Sequence, residues 1–238
     1  MRRHVSISLL AAGLLGGAAA QAAEVAGNVG VTSNYIWRGV TQTDDGAAIQ
    51  GGLDYAHESG LYAGTWLSNV DFGSPDPNAD RNEIELDLYG GYGGEVGELG
   101  YDVGLIYYAY PLADDADFLE LALAGSYRML TAGVSYTISS DVEDTNAGAE
   151  AFIEDDLYYY VSAEFALPQD FGLSATVGQY AFEDDGVAGA ELDYTHYRLG
   201  IGKAGFELAY EQNDLDGVSA SGKDFDDPRF VVSYTKEF

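Results

Sequence analysis

The stretch Glu83–Tyr92, EIELDLYGGY, changes chemistry at almost every step. Successive side chains of an extended chain point to opposite faces, so Ile84, Leu86, Leu88 and Tyr92 share one face while Glu83, Glu85 and Asp87 share the other. A helical period would mix the two sets. Such a strand separates two solvents. In a soluble sandwich the apolar face meets another sheet and the acids meet bulk water; in an outer-membrane barrel the apolar face meets lipid and the acids line a wet lumen.

The same period recurs along the chain in runs of about ten residues ended by Gly, Asp, Asn or Pro. Val25 to Trp37 comes first, with Val29, Val31, Tyr35 and Trp37 on one face. Ala47 to His57 sets Ile49, Leu53 and Tyr55 against Gln50 and Asp54, and Leu61 to Asp71 is apolar on both faces, which leaves its orientation open. Asn82 to Tyr92, Tyr101 to Tyr110, Phe118 to Arg128, Thr131 to Ser140 and Leu157 to Leu167 alternate in the same way. Leu173 to Phe182, Asp193 to Gly202, Phe206 to Asp214 and Arg229 to Phe238 bring the expectation to about twelve strands. Connections alternate too. Short turns near Ser59, Gly97, Met129, Gln169 and Gly205 are interleaved with longer polar links at 39–46, 72–81, 111–117, 141–155, 183–191 and 216–228. Outer-membrane barrels pair short periplasmic turns with longer extracellular loops in this manner.

Composition narrows the choice. Arg2 and Arg3, the apolar run from Val5 to Gly17, and the small residues around Ala18 to Ala22 have the three parts of a signal peptide, with cleavage expected after Ala22 or Ala23. The run is too short for a spanning helix of about 20 apolar residues. The expected organisation is therefore a leader, 1–22, and one barrel domain, 23–238. Removing Arg2 and Arg3 takes Lys plus Arg from 10 to 8 against 40 Asp plus Glu, a mature charge of about −32. Nucleic acid, which needs a basic surface, is excluded as a partner. With no cysteine, a disulfide scaffold and thiol chemistry are excluded as well. The terminal segment FVVSYTKEF ends on Phe238 with Phe230, Val232 and Tyr234 in phase, as in terminal strands read by the barrel-assembly machinery; Lys236 departs from that pattern.

Three segments, SNYIWRGVTQTDD (33–45), GGLDYAHESGLYAGTWLSNVDF (51–72) and EIELDLYGGYGGEVGELGYDVGLIYYAYP (83–111), resemble the TorF-type porin family of proteobacteria. Members of that family are filed as proteins of unknown function. The likeness is specific over about Gly27 to Pro111 and looser beyond. It implies an outer-membrane barrel, and it brings no established solute, catalytic residue or ligand residue.

With the apolar faces in lipid, Asp54, Glu83, Glu85, Asp87, Asp102, Glu120, Glu164, Glu207 and Glu211 are expected in the lumen, opposed by Arg128 and Arg198. Such a wall concentrates cations and repels anions, although the same acids could simply solvate the interior or pair with neighbours. Tyr108, Tyr110, Tyr158, Tyr160, Tyr180 and Tyr194 are expected inward near the outer mouth, where rings either stack on a solute or narrow the pore. The loop pairs Asp44-Asp45, Asp114-Asp115, Asp184-Asp185 and Asp226-Asp227 offer oxygen ligands for divalent cations bridging to lipopolysaccharide; no other cofactor is implied. The calcium-like run Asp76 to Asp80 has Arg81 where the loop needs Gly, so it reads as a solvated loop. Catalysis has little material. His57 sits beside a short turn, His196 is a lone strand histidine, and neither a phosphate loop nor a Cys/His metal cluster is present.

The sequence thus points to a single antiparallel up-and-down transmembrane barrel, non-enzymatic, in the outer membrane of a Gram-negative bacterium. The expected role is passive diffusion of small hydrophilic solutes with a preference for cations. Three alternatives stay open: a structural or surface-interaction barrel with a plugged lumen, a secreted soluble sandwich, and an outer-membrane hydrolase that would rely on His196.

Overall fold

The computed structural model describes residues 23–72, 83–113, 115–142, 150–218 and 222–238; the expected leader, 1–22, the calcium-like run and Asp114 lie outside them. In chain order the strands are β1 (Glu24–Thr32), β2 (Ile36–Trp37), β3 (Val40–Thr41), β4 (Ala48–Ala56), β5 (Leu61–Asn69), β6 (Ile84–Val96) and β7 (Leu99–Ala109). They continue as β8 (Phe118–Tyr127), β9 (Leu130–Ser140), β10 (Leu157–Leu167), β11 (Phe171–Ala181), β12 (Tyr194–Lys203), β13 (Phe206–Asn213) and β14 (Arg229–Glu237). Twelve of them form a closed barrel in sequence order, and β2 pairs only with β3. Closure is made by β1, which lies antiparallel to both β4 and β14. The Gly27 and Phe238 backbones exchange two hydrogen bonds of 2.9 Å, so the terminal aromatic completes the seam. A closed ladder leaves no edge and satisfies the strand backbones internally, as hydrocarbon requires.

The alternation of EIELDLYGGY is realised in β6: Glu85 is buried inside the barrel, whereas Leu88 is half exposed on its outer surface. The outer surface is apolar on every strand, with Val29, Leu53, Leu67, Leu105, Leu123, Val161, Val177, Leu199, Leu208 and Val232 all uncovered. Aromatics bracket this band. Tyr136, Tyr159, Tyr197 and Phe230 stand toward the end with long loops, and Tyr55, Tyr92, Tyr101, Tyr127, Phe206 and Phe238 toward the end with short turns. A bilayer solvates such a surface; water does not. Strand 61–69, apolar on both faces, is oriented by size and polarity together: Trp66 and Ser68 point in, Leu61 and Leu67 point out.

Two expectations are corrected. The first strand does not run to Trp37; it stops at Thr32, and the chain then turns into the barrel, so Tyr35 and Trp37 face inward although they share parity with Val29 and Val31. Arg128 is not a lumen residue. It occupies a two-residue turn between β8 and β9 with φ 58°, the left-handed conformation such turns favour, and its exposed side chain reaches Glu98 in the neighbouring turn at 3.4 Å.

Candidate functional site

Residues 33–47 fold into the lumen because they carry their own hydrogen-bond frame. Thr41 Oγ1 donates to Asn34 Oδ1 (2.7 Å), Asn34 Nδ2 donates to Asp45 (2.7 Å), and the Tyr35 and Gln42 backbones are tied to Thr43 Oγ1 and Tyr35 O. Asp45 is also clamped from the wall by Arg229 on β14 at 2.5 Å. Partial burial pushes the Asp45 carboxyl up, but Arg229 and then Lys223 outweigh it and hold the group below the usual carboxylate range. The base of the loop is thus an ion-paired knot.

From that knot the β2–β3 hairpin crosses the barrel. Tyr35 Oη donates to Glu85 on β6 (2.8 Å), and the Trp37 ring sits 5.6 Å from Tyr108 and Phe152 and 6.0 Å from Tyr180. At the tip, Arg38 makes a bidentate pair with Glu120 on β8, Nη1 to Oε1 at 2.7 Å and Nη2 to Oε2 at 2.6 Å. Both partners are almost fully buried, 5% and 1% exposed. The guanidinium carbon also lies 4.2 Å from the ring centroids of Trp37 and Tyr158, so aromatic faces replace part of its lost hydration. Gly39 follows with φ +86°, and a Cβ there would stand 2.3 Å from the Cβ of His196. Its carbonyl accepts from Asn213 on β13 (2.7 Å). Only glycine permits this approach.

The hairpin separates two chambers. The larger, about 470 Å³, lies against β4–β10 and is lined by Asp54, Asp87, Asp102, Tyr62, Trp66, Tyr89 and Tyr160 among others. The smaller, about 120 Å³, lies toward β10–β14 and holds Glu164, Arg198, Glu207 and Glu211; Arg38 and Tyr158 border both. The chambers differ in charge pairing. Arg198 binds Glu207 at 2.6 Å and Glu211 at 2.8 Å in the smaller one. In the larger one Asp54 accepts from Tyr89 and Asp102 from Tyr62 (2.9 Å), while Asp87 Oδ1, Asp102 Oδ2 and Trp66 Nε1 have no partner. The tyrosines lie flat because glycines face them: a Cβ at Gly64 would enter the Tyr89 ring, and one at Gly91 would strike the Tyr62 hydroxyl.

The expected site residues therefore divide. Asp54, Asp87 and Asp102 line the larger chamber, and Glu164, Glu207, Glu211 and Arg198 the smaller. Glu85 and Glu120 are buried beneath the hairpin and satisfied by it, Glu85 with help from Tyr110 (3.3 Å). Glu83 lies ahead of β6, exposed at the rim rather than in the wall. Tyr108, Tyr110, Tyr158, Tyr180 and Tyr194 are buried inward at the long-loop half, and half-buried Tyr160 lies below them. They cradle the hairpin together with Phe118, Phe152 and Phe182. Arg38 and Trp37 were missed by sequence reasoning. The trace they left was a lone Trp-Arg-Gly just ahead of a link rich in Thr, Gln and Asp.

His196 Nε2 is 3.0 Å from Tyr158 Oη and its Nδ1 has no partner, while His57 meets Ser59 Oγ (2.8 Å) within an exposed turn. Of the acidic loop pairs, Asp184 accepts the Glu150 N–H and Asp185 those of Leu192 and Asp193. Asp224, Asp226 and Asp227 bring oxygens within 4.8 Å of one another on the exposed link before β14.

The fold is shared with solved outer-membrane proteins. The chain is similar to the KdgM porin, with a TM-score of 0.55 and 6% identity over 90% of this chain and 99% of that one. It is similar to a chain solved in work on in-meso crystallisation of membrane proteins, with a TM-score of 0.50 and 8% identity over 90% and 83%. The NanC porin follows with a TM-score of 0.48 and 11% identity over 90% and 98%. Identities this low establish architecture and nothing about solute. No curated protein matches the chain. Residues 17–238 match the sequence profile described as "Bacterial protein of unknown function (Gcw_chp)", and the chain belongs to that family.

Proposed function

We propose that this chain is an outer-membrane channel for passive diffusion of small hydrophilic solutes, preferring cations and constricted by its first long loop. The apolar outer band with its aromatic borders supports the membrane location, with the short turns on the periplasmic side and Phe238 presented to the assembly machinery. Lipopolysaccharide would then surround the long loops. The TorF-type porin resemblance agrees with this reading. One observation carries the ion preference: Asp54, Asp87 and Asp102 of the larger chamber meet tyrosine hydroxyls or nothing, and Arg38, the cation beside them, is already neutralised by Glu120. Unpaired acids in a narrow wet passage raise the local cation concentration. The reading assigns no catalytic step.

Planar-bilayer recording tests it. The full chain should conduct with a reversal potential favouring cations in a salt gradient, and replacing Asp54, Asp87 and Asp102 together by Asn should move that potential toward zero. An unchanged potential would remove these residues from selectivity. A second reading, a non-conducting barrel, is favoured by the buried Arg38–Glu120 pair at the hairpin tip. Silence of the full chain, with conductance restored on shortening residues 36–41 to a Gly-Ser link, would select it.

A further inference from the structure

We propose that the upper end of the larger chamber is a saturable site for a small organic amine that also carries a hydroxyl or carbonyl oxygen, the amino-alcohol class. The proposal rests on the larger chamber being the acidic solute path, and it names what that path would hold. Its volume, about 470 Å³, falls in the ~300–1,000 Å³ range of small-molecule sites.

Trp66 and Asp87 are direct cross-strand partners on β5 and β6, and Asp87 is in turn opposite Tyr108 on β7. Despite this adjacency Trp66 Nε1 and Asp87 Oδ1 are both without a hydrogen-bond partner, and Trp66 is only 8% exposed. Buried polar atoms are ordinarily satisfied, so an unmatched donor and acceptor on neighbouring residues that line the chamber are groups that a molecule seated against them, with a small shift of the two side chains, would satisfy. That molecule needs an N–H or O–H for the carboxylate and an oxygen for the indole. Charge selects the amine. Asp54, Asp87 and Asp102 line the chamber, and its guanidinium, Arg38, is already committed to Glu120. The excess is negative, and an added cation relieves it. Aromatic faces complete the site, since Trp66, Tyr89 and Tyr108 line the same chamber and attract an ammonium as well as an apolar body. An anion finds no unpaired base here among the described residues.

The chain's two tryptophans, Trp37 and Trp66, both line the chamber, so intrinsic fluorescence reports on it directly. Titrating the detergent-solubilised full chain with 2-amino-1-phenylethanol should give a saturable change in tryptophan emission. Neutral 2-phenylethanol should bind at least tenfold more weakly, and mandelate should give no saturable change. Asp87→Asn should weaken amine binding at least tenfold, while Glu98→Gln, in an exposed turn outside the chamber, should leave it within twofold. Trp66→Phe removes the N–H together with the pyrrole ring, and should weaken the amino alcohol more than phenethylamine, read from Trp37. Equal affinities for amine and neutral alcohol, or no loss in Asp87→Asn that still shows heat-modifiable mobility, would overturn the site. Bilayer recording of the same preparation separates the two ideas: cation-selective current without amine binding sinks the site and spares the channel. Amine binding without current keeps the site and sinks the channel.

Discussion

Replacing Arg38 by Ala should release the hairpin from the lumen. The side chain is one half of a bidentate pair with Glu120, and neither group touches appreciable water. Removing it strands Glu120 with only the Tyr108 hydroxyl at 3.3 Å and the Tyr180 hydroxyl at 3.4 Å. Breaking a buried pair from one side costs about 3–5 kcal/mol, because the remaining charge has no compensation. The barrel itself does not need the hairpin for its ladder, so this penalty falls on docking, whose equilibrium constant should drop by about 10²–10³ or more. The guanidinium also loses its contacts with the Trp37 and Tyr158 rings, which adds to the effect. Two assays read the outcome. Single-channel current should rise as the hairpin leaves, and in a Trp66→Phe background Trp37 emission should shift to the red with greater acrylamide quenching. Removing both charges, as Arg38→Met with Glu120→Leu, should restore a docked, dark state close to the parent, since a well-packed apolar replacement of a buried pair is often neutral. Unchanged current and unchanged Trp37 emission in Arg38→Ala would refute the latch, as would a double variant more open than the single one.

Gly39→Ala should also undock the hairpin: left-handed backbone alone costs about 1–2 kcal/mol, and the new Cβ would collide with His196 Cβ. Adding His196→Gly should recover part of the loss while His196→Ala should not, because the obstacle is the β-carbon itself, and current amplitude distinguishes them. On the outer wall, Leu105→Arg near the middle of β7 should destabilise the barrel by about 2–4 kcal/mol in urea titrations followed by gel mobility. A neutral result there would contradict lipid contact. Burial first, then Asp184, pushes Asp156 up to about 6 against the N–H groups of Glu183 and Ile153. The folded state then holds this proton more tightly than an unfolded chain with a carboxyl near about 3.9, so its stabilising share is complete below about pH 4 and is lost as pH rises through about 6. Asp156→Asn should therefore flatten the pH 4–6 part of the thermal unfolding curve, and a slope equal to the parent's would remove Asp156 from the titration.

What the sequence made legible is what nearest neighbours decide. The alternation in EIELDLYGGY needs only the pleat, and the short turns at Ser59, Gly97 and Gly205 need only local backbone preference. Contacts across the barrel were not legible. Arg38 finds Glu120 82 residues away and Asp45 finds Arg229 184 residues away, and no periodicity encodes either meeting. Tyr35 and Trp37 misled because a parity argument holds only while the strand continues, and the Asn34, Thr41 and Thr43 frame ends it at Thr32. Arg128 failed for the same reason at a turn.

The distribution of the few cations then has a consequence for where ions could travel. Among the described residues, Arg38, Arg198 and Arg229 are the bases turned inward, and each is committed to carboxylates: Glu120, the pair Glu207 and Glu211, and Asp45. Lys203 and Lys236 lie on the outer face near the short turns, and Arg128 lies in one of them. The wall from β10 to β14 therefore sets Arg198 against Glu207 and Glu211, whereas the acids of β4, β6 and β7 have no base of their own. Asp87, Asp54 and Asp102 lie at successive depths along that second wall, each beside an aromatic hydroxyl or indole that can help shed hydration. On the proposed reading, a cation entering from the short-turn end would be drawn up this side as far as the hairpin, where Glu120 already holds Arg38. If the chain conducts cations as proposed, the latch and the acidic wall act on one route, since the Arg38 hairpin bounds the same chamber that Asp54, Asp87 and Asp102 line.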